Sequence, residues 1–308
     1  MNRIIEVKDL TKSYDGHMAV NHISFGVEKG SLLGFLGVNG AGKTTVINML
    51  ATLLLPDEGE VTICGEKLGK DDPGIRRKIG IVYQQNCLDD ILTVEENLIC
   101  RGILHGATSI EAKRQCRRLS EVLKLHEIIK KRYRTLSGGQ KRRCEIAAAL
   151  MHTPEILFLD EPTTGLDPAT RQDVWKTIAG LQKNEKMTVF LTTHYMEEAA
   201  EADQIIILDK GNIVTSGTPF ELKDRYAKDK LRLYGVENDW EELGQQIREQ
   251  VVRDINISDS GVVDIALQKT LQAMPILEIA KPYISGFEVI QGNMDDVFLN
   301  AVGREEVG

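Results

Sequence analysis

Gly34-Phe35-Leu36-Gly37-Val38-Asn39-Gly40-Ala41-Gly42-Lys43-Thr44-Thr45, residues 34–45, is the stretch from which the fold of this 308-residue chain can be read. It holds the pattern G-x-x-x-x-G-K-T. The glycines let backbone N–H groups close in on phosphate oxygens, Lys43 can reach β- and γ-phosphates, and the Thr44 hydroxyl can ligate Mg²⁺. The flanks agree. Leu32, Leu33, Phe35 and Leu36 form a short apolar run suited to a buried strand, and Val46, Ile47 and Leu50 recur at helical spacing. A strand feeding a helix N-terminus makes an anion site, because unpaired N–H groups and the helix dipole point the same way. The bland alternative is a glycine-rich turn with an incidental lysine.

Bulk properties narrow the class. Hydrophobic residues make up 42% and charged residues 27%, which excludes a disordered or low-complexity chain. The length suits one large domain and a smaller one. A net charge of -8 argues against a protein whose main task is coating nucleic acid. Cys64, Cys87, Cys100, Cys116 and Cys144 are five, without CxxC spacing, as expected of reduced, structural thiols in a cytosolic protein. Met1 to Glu6 lacks the apolar core of a signal peptide, and no apolar run reaches membrane-spanning length, so any membrane role is expected to come through a partner.

Residues 3–33 alternate apolar runs with the turn signals Asp15-Gly16 and Gly30, predicting antiparallel β structure, and residues 56–65 continue that small sheet. Tyr14, before the first turn, could stack on a base or simply pack. Ile79 to Tyr83 reads as a buried strand ending at Gln84, whose amide oxygen could meet a metal or a water. From Leu92 to about Lys131 the apolar spacing turns helical. Leu136-Ser137-Gly138-Gly139-Gln140 then opens another helix, with Ser137 as N-cap and two glycines leaving its N-terminus open to an anion. The basic residues around it, with Tyr133 the one aromatic among them, suggest a solvated or phosphate-facing surface rather than a nucleic-acid platform.

Ile156 to Leu159 suits a central parallel strand, placing Asp160 and Glu161 at its C-terminal end, where open α/β sheets bind ligands. Asp160 can hold Mg²⁺ and Glu161 can deprotonate a water; a helix cap is the lesser alternative. Asp167-Pro168 forms a turn before the helix of Arg171 to Leu181. Thr188 to Thr193 is a further buried strand ending at His194, which can hydrogen-bond a γ-phosphate. His17, His22, His105, His126 and His152 read as surface or packing residues, and Asp209-Lys210-Gly211-Asn212 as a hairpin turn. Residues 221–230 look like a charged helical connector. Beyond it, strands near 231–236, 255–257, 262–267 and 287–290 alternate with helices at 240–252 and 271–279, and a last helix starts at Met294. The β-α-β-β-α-β order predicts a ferredoxin-like α+β domain.

The phosphate loop, Gln84, Ser137 to Gln140, Asp160-Glu161, Asp167 and His194 come in the order of ATP-binding-cassette (ABC) ATPases, which the chain resembles over residues 3–220. The Ser-Gly-Gly-Gln signature separates that family from other phosphate-loop proteins. The resemblance implies an α/β phosphate-loop NTPase (RecA-like) core in a 1–220 domain. That domain carries an antiparallel β subdomain and a helical subdomain at about 88–150, and is followed by the accessory domain at 231–308. It implies ATP and Mg²⁺ as ligands. Gly37 to Thr45 would grip the phosphates, with Thr44, Gln84 and Asp160 on the metal. Tyr14 would stack on the base, Glu161 would act as general base with Lys43 beside it, and His194 would sense the γ-phosphate. Gln84 would also contact a membrane subunit. Ser137, Gly138 and Gly139 would complete the site of a second copy or a homologous cassette, paired head to tail, and Gln140 and Asp167 would be nucleotide-binding residues.

Asn293-Met294-Asp295-Asp296-Val297-Phe298-Leu299 is similar to the ending of ATPase subunits in the daunorubicin-resistance-like exporter group, with Met294 where leucine is usual. The chain is therefore expected to drive a separate integral-membrane exporter subunit from the cytoplasmic face of the membrane, with no nucleic-acid partner. The alternatives are a soluble cassette ATPase acting on DNA or ribosomes, which the absence of a coiled-coil insertion and of a second cassette speaks against, and a phosphotransferase, which leaves the signature unexplained.

Overall fold

The computed structural model describes residues 3–235, 243–245, 247, 255–257, 262–267 and 269–303. The chain divides into two compact units, Met1–Thr218 and Pro219–Gly308. In the first, β1 (Arg3–Tyr14) and β2 (His17–Glu28) form an antiparallel hairpin, to which β4 (Glu58–Ile63) and β5 (Glu66–Lys67) add in the order β2-β1-β4-β5. A 6-stranded sheet lies beside it. Its order is β10-β9-β3-β8-β7-β6, from β3 (Leu32–Leu36), β6 (Ile79–Val82), β7 (Ile156–Asp160), β8 (Thr188–Thr193), β9 (Gln204–Asp209) and β10 (Asn212–Gly217). All its pairings are parallel except the β9–β10 hairpin.

The aromatic residues explain why these sheets stack. Phe35, Phe158 and Phe190 come from neighbouring parallel strands and are fully buried, with ring centroids 5.3 Å (Phe35–Phe190) and 5.5 Å (Phe158–Phe190) apart. Phe25 of the antiparallel sheet reaches the same group, 5.6 Å from Phe35. Burial of this apolar surface is the main force holding the layers together.

Register aligns the strand ends. Leu36 pairs with Thr193, Asp160 with Thr192, and Val82 with Leu159. Residues just past each end, namely the glycine loop, His194, Glu161 and Gln84, therefore emerge on one rim. This is the physical reason that motifs far apart in sequence meet.

The helical region contains α3 (Val94–Leu104), α4 (Ser109–Val122) and α5 (Gly138–Ala149). Each starts with a reciprocal capping box: Thr93 with Glu96, Thr108 with Glu111, and Ser137 with Gln140. α6 (Pro168–Glu185) is capped by Asp167 and begins earlier than the sequence pattern suggests, because Pro168 fits its first turn. Tyr133, expected on a basic surface, is instead buried, its hydroxyl donating to Glu145 (2.7 Å).

In the second unit, β11 (Asp229–Tyr234), β12 (Ile255–Ile257), β13 (Val263–Leu267) and β14 (Gly286–Ile290) form an antiparallel sheet ordered β12-β13-β11-β14. That is the ferredoxin-like order. The helix expected over 240–252 lies largely outside the described residues, although 243–245 and 247 are helical. Leu231, Leu233, Val263, Ile265 and Ile276 are among its core residues. The charged stretch expected to be helical is so over α7 (Pro219–Tyr226), and β11 takes its end from Asp229; α7 packs with the last helix, α9 (Met294–Val302), where Asn300 donates to the Tyr226 carbonyl (2.8 Å). α8 (Ala273–Ala280) precedes β14. The tail motif is thus a capped helix: Asn293 accepts from the Asp296 N–H, and Met294 and Val297 are buried. An apolar side chain is what position 294 requires, and methionine meets that need.

Candidate functional site

A cleft of about 430 Å³ between α4, α5 and α6 is lined by Lys124, Arg143 and Asn184 and touches none of the motif residues. A larger one, about 730 Å³, is lined by Tyr14, His17, Ala19, Asn39, Gly40, Gly42, Lys43, Thr44, Thr45, Gln84, Glu161, Thr164 and His194. It brings together residues from five of the motif-bearing stretches.

The loop that floors the cleft requires its glycines. Gly40 and Gly42 have φ of +86° and +106°, in the region that side chains rarely enter. A Cβ on Gly42 would sit 2.4 Å from the Ala19 carbonyl, and one on Gly37 would sit 2.5 Å from that of Leu208. Val38 and Ala41 complete the loop, with Ala41 N–H bonded to the Val38 carbonyl (3.2 Å). α1 (Lys43–Leu50) begins directly after it with no side-chain cap, leaving its first N–H groups facing the cleft. Lys43 is 4% exposed; its ammonium donates to the Gly37 carbonyl (2.8 Å) and lies 3.4 Å from Glu161 Oε1.

Glu161 is held tightly. Its backbone φ is +45°, a strained value for a residue with a side chain, and its N–H donates to the Thr192 carbonyl and hydroxyl (both 3.1 Å). Oε2 accepts from Thr164 (3.0 Å) and from His194 Nδ1 (3.1 Å). A carboxylate acceptor places the proton on Nδ1. Asp160 is buried at the end of β7 and accepts from the Thr192 hydroxyl (2.7 Å). Burial pushes its carboxyl above the ordinary range, with the Thr192 hydrogen bond opposing that rise and the charge of Glu161 adding to it.

Gln84 reaches the cleft from a loop tied to α5. Buried Arg142 donates to the Tyr83 carbonyl (2.6 Å) and the Gln84 carbonyl (3.0 Å). Buried Glu145 accepts from the N–H groups of Cys87 (2.9 Å) and Leu88 (3.1 Å) as well as from Tyr133.

Ser137, Gly138, Gly139, Gln140 and Asp167 do not line this cleft. They gather instead where α5 meets α6. Gly139 packs so closely that a Cβ would fall 2.2 Å from Thr170 Cγ2, and Thr170 is in turn held by Asp167, its N–H at 3.1 Å and its hydroxyl at 2.5 Å. Ser137 and Gly138 are exposed.

Several residues at or beside the cleft carry no plain mark in the sequence. His17, expected on the surface or in packing, lines the cleft. Thr192 and Thr164 orient the two carboxylates; the threonines closing an otherwise apolar strand were the available signal. Arg142 was counted with a basic surface but is buried, and nothing local marks it.

Chemically, the cleft offers a cation, backbone N–H groups, hydroxyls, an amide and the carboxylate of Glu161 around a space that can admit a polyphosphate, with Asp160 buried next to Glu161 at the end of β7 and not among the lining residues. The hydroxyl of Thr44, the amide oxygen of Gln84 and the carboxylate of Asp160 are hard oxygen donors of the type Mg²⁺ prefers, and buried Asp160 has a charge that a cation would offset. Among the described residues no helix is long and apolar enough to cross a membrane.

Comparison with known proteins agrees with this geometry. Residues 20–164 match the ABC transporter family. The chain is 36% identical to the daunorubicin/doxorubicin resistance ATP-binding protein DrrA of Streptomyces peucetius, over 98% of this chain and 93% of that protein. It is equally 36% identical to the linearmycin resistance ATP-binding protein LnrL of Bacillus subtilis (strain 168), over 98% and 99%. The dimeric post-hydrolysis structure of the ATP-binding cassette MJ0796, bound to ADP and Pi, superimposes with a TM-score of 0.63 at 29% identity, covering 70% of this chain and 98% of that one. The chain belongs to the ABC transporter family, as one of its ATP-binding proteins.

Proposed function

We propose that this protein is the ATP-hydrolysing subunit of an exporter, acting on a separate integral-membrane subunit from the cytoplasmic face of the membrane. The observation that carries the reading is the convergence of Tyr14, Lys43, Thr44, Gln84, Glu161 and His194 on one cleft. The relatives named for drug resistance support the export direction. In this reading residues 1–220 form the ATPase domain and 231–308 an accessory domain.

In that cleft Tyr14 stacks on the base, and the N–H groups of Gly37 to Thr45, with Lys43, bind the phosphates. Thr44, Gln84 and Asp160 would hold Mg²⁺, which when bound neutralises phosphate charge. Glu161 accepts a proton from the water that attacks the γ-phosphorus, so that ATP and water give ADP, phosphate and a proton. Thr164 and His194 fix the carboxylate for that task. His194 would also donate from Nε2 to the γ-phosphate when both its nitrogens carry protons. Ser137, Gly138, Gly139, Gln140 and Asp167 lie away from their own cleft, which suits them to complete the site of a second copy or homologous cassette. ATP would then bridge two molecules and hydrolysis would release them.

The test uses Glu161→Gln in the full chain, expressed in cells and extracted in mild detergent. It should bind ATP as the parent does, lose turnover by about 10²-fold or more, and co-purify with a protein of several membrane helices. Unchanged phosphate release would remove Glu161 as base. Recovery with ribosomes or DNA, and never with a membrane protein, would favour the soluble alternative instead.

A further inference from the structure

The hairpin of α3 and α4 carries exposed side chains that the ATP cleft does not use. Ile103, Leu104 and Ile110, all at its tip, are 47%, 79% and 81% exposed. Single exposed aliphatic residues are common, whereas a group of them at the tip of a hairpin marks a surface suited to contact with another apolar medium. α4 extends the pattern. Ile110, Lys113, Arg114 and Arg117 recur at spacings of three and four along its exposed side, opposite the buried row of Ala112, Cys116 and Leu119. From Arg101 to Arg118 the chain has five cations against one carboxylate, Glu111, which is occupied by the Thr108 N–H (2.8 Å) and hydroxyl (2.7 Å). Arg118 pairs with Glu185, and Arg101 is half-buried. Lys113, Arg114 and Arg117 are exposed and form no ion pair among the described residues. A helix face that meets only water is served by the cations but gains nothing from the aliphatic tip. Aliphatic residues beside unpaired cations are what an interfacial element presents, the first at the acyl boundary and the second among anionic headgroups. The chain as a whole carries a charge of -8, so an anionic surface repels it elsewhere and this patch sets the side that approaches. Arg101 and His105 of the same hairpin share a cavity of about 390 Å³ with Tyr83, the neighbour of Gln84, so the patch lies beside the Gln84 loop.

We propose that the α3–α4 hairpin docks directly on an anionic lipid surface, with Ile103, Leu104 and Ile110 at the acyl boundary and Lys113, Arg114 and Arg117 on lipid phosphates. The contact lies on the membrane rather than through it, since no helix among the described residues is long and apolar enough to cross. It is made by this chain itself and needs no membrane subunit, so it goes beyond the exporter reading and stands or falls apart from it.

The experiment sediments the full-length chain with protein-free vesicles of phosphatidylcholine, with or without about 30% phosphatidylglycerol, at about 0.1 M salt. Binding to the anionic vesicles should exceed binding to the neutral ones by about tenfold or more, and should be lost at about 0.5 M salt. The joint change Lys113→Gln, Arg114→Gln and Arg117→Gln should weaken it by about tenfold or more. Leu104→Gln with Ile110→Gln should weaken it by a similar factor, about tenfold, although no charge is removed. Lys8→Gln, Lys70→Gln and Lys183→Gln together remove the same charge from exposed positions elsewhere and should change binding by less than about twofold. ATP affinity measured on each variant checks that it is folded. Equal binding to both kinds of vesicle would overturn the proposal, as would a patch variant no weaker than the Lys8, Lys70 and Lys183 control. A parent chain that ignores both vesicles but co-purifies with a membrane protein would assign the patch to that protein, overturning the lipid contact and leaving the exporter reading in place. Vesicle binding that depends on the patch, in a chain never recovered with a membrane protein, would uphold the lipid contact and count against the exporter reading.

Discussion

In the cleft, the polar groups are crowded, buried and bonded to one another: Lys43 to the Gly37 carbonyl and Glu161, Glu161 to Thr164 and His194, Asp160 to Thr192. At the Ser137 turn the hydrogen bonds close locally, Ser137 with Gln140, while Ser137 and Gly138 stay exposed. The first region is pre-organised by contacts from distant parts of the chain. The second is a rigid edge offered to something outside it. In the proposed pairing, such a division would place binding of the ligand in one molecule and closure over it in another, so damage to the two halves should be separable.

Lys43→Ala should produce the largest effect on the cleft's own task. It removes the buried cation beside Glu161, so ATP affinity measured by calorimetry on dilute chain should fall by about tenfold or more. The Ser137 turn should be untouched, with its helix as stable as before. Normal affinity in this variant would mean that the backbone N–H groups alone grip the phosphates, and would weaken the division between the two regions.

Gly139→Ala tests the other side. The added Cβ would meet Thr170 Cγ2 at 2.2 Å, so α5 and α6 must move apart, at a cost of about 1–3 kcal/mol in stability. Single-chain ATP affinity should hold while hydrolysis falls. Thr170→Ser removes the clashing methyl and keeps the hydroxyl bonded to Asp167. The double variant should therefore regain its stability, as read by urea unfolding. If Gly139→Ala is as stable as the parent, the close helix contact is not what demands glycine there.

The same contrast explains what could be read from the residues in order. The glycine loop is legible because a left-handed φ and close backbone approach leave a local mark, and Asp160-Glu161 because four apolar residues precede them. Capping boxes are local too: Ser137 was recognised, while Thr93-x-x-Glu96 and Thr108-x-x-Glu111 carry the same pattern. What escaped depends on register or packing. Thr192 faces Asp160 only because β7 and β8 pair in one alignment, and Arg142 is buried only because the Gln84 loop folds over α5. Tyr133 looked like part of a basic surface because its partner, Glu145, lies on the helix beyond.

Asp160 offers the finest test of the cleft's pre-organisation. Burial is the main reason its carboxyl holds its proton above the usual range, so the folded protein binds that proton more tightly than the unfolded chain does. Its contribution to stability is therefore fully present below the unfolded pKa and is lost as pH rises through the folded one. Once ionised, the buried carboxylate is a cost unless a cation offsets it. Asp160→Asn keeps an oxygen to accept from Thr192 and removes the charge. In the absence of nucleotide it should be more stable than the parent at pH 7, read as a higher midpoint of thermal unfolding. That advantage should shrink as the pH falls and the parent's carboxyl takes up its proton. Hydrolysis should fall in the same variant. A stability difference that does not change with pH would mean that burial does not strain the carboxyl.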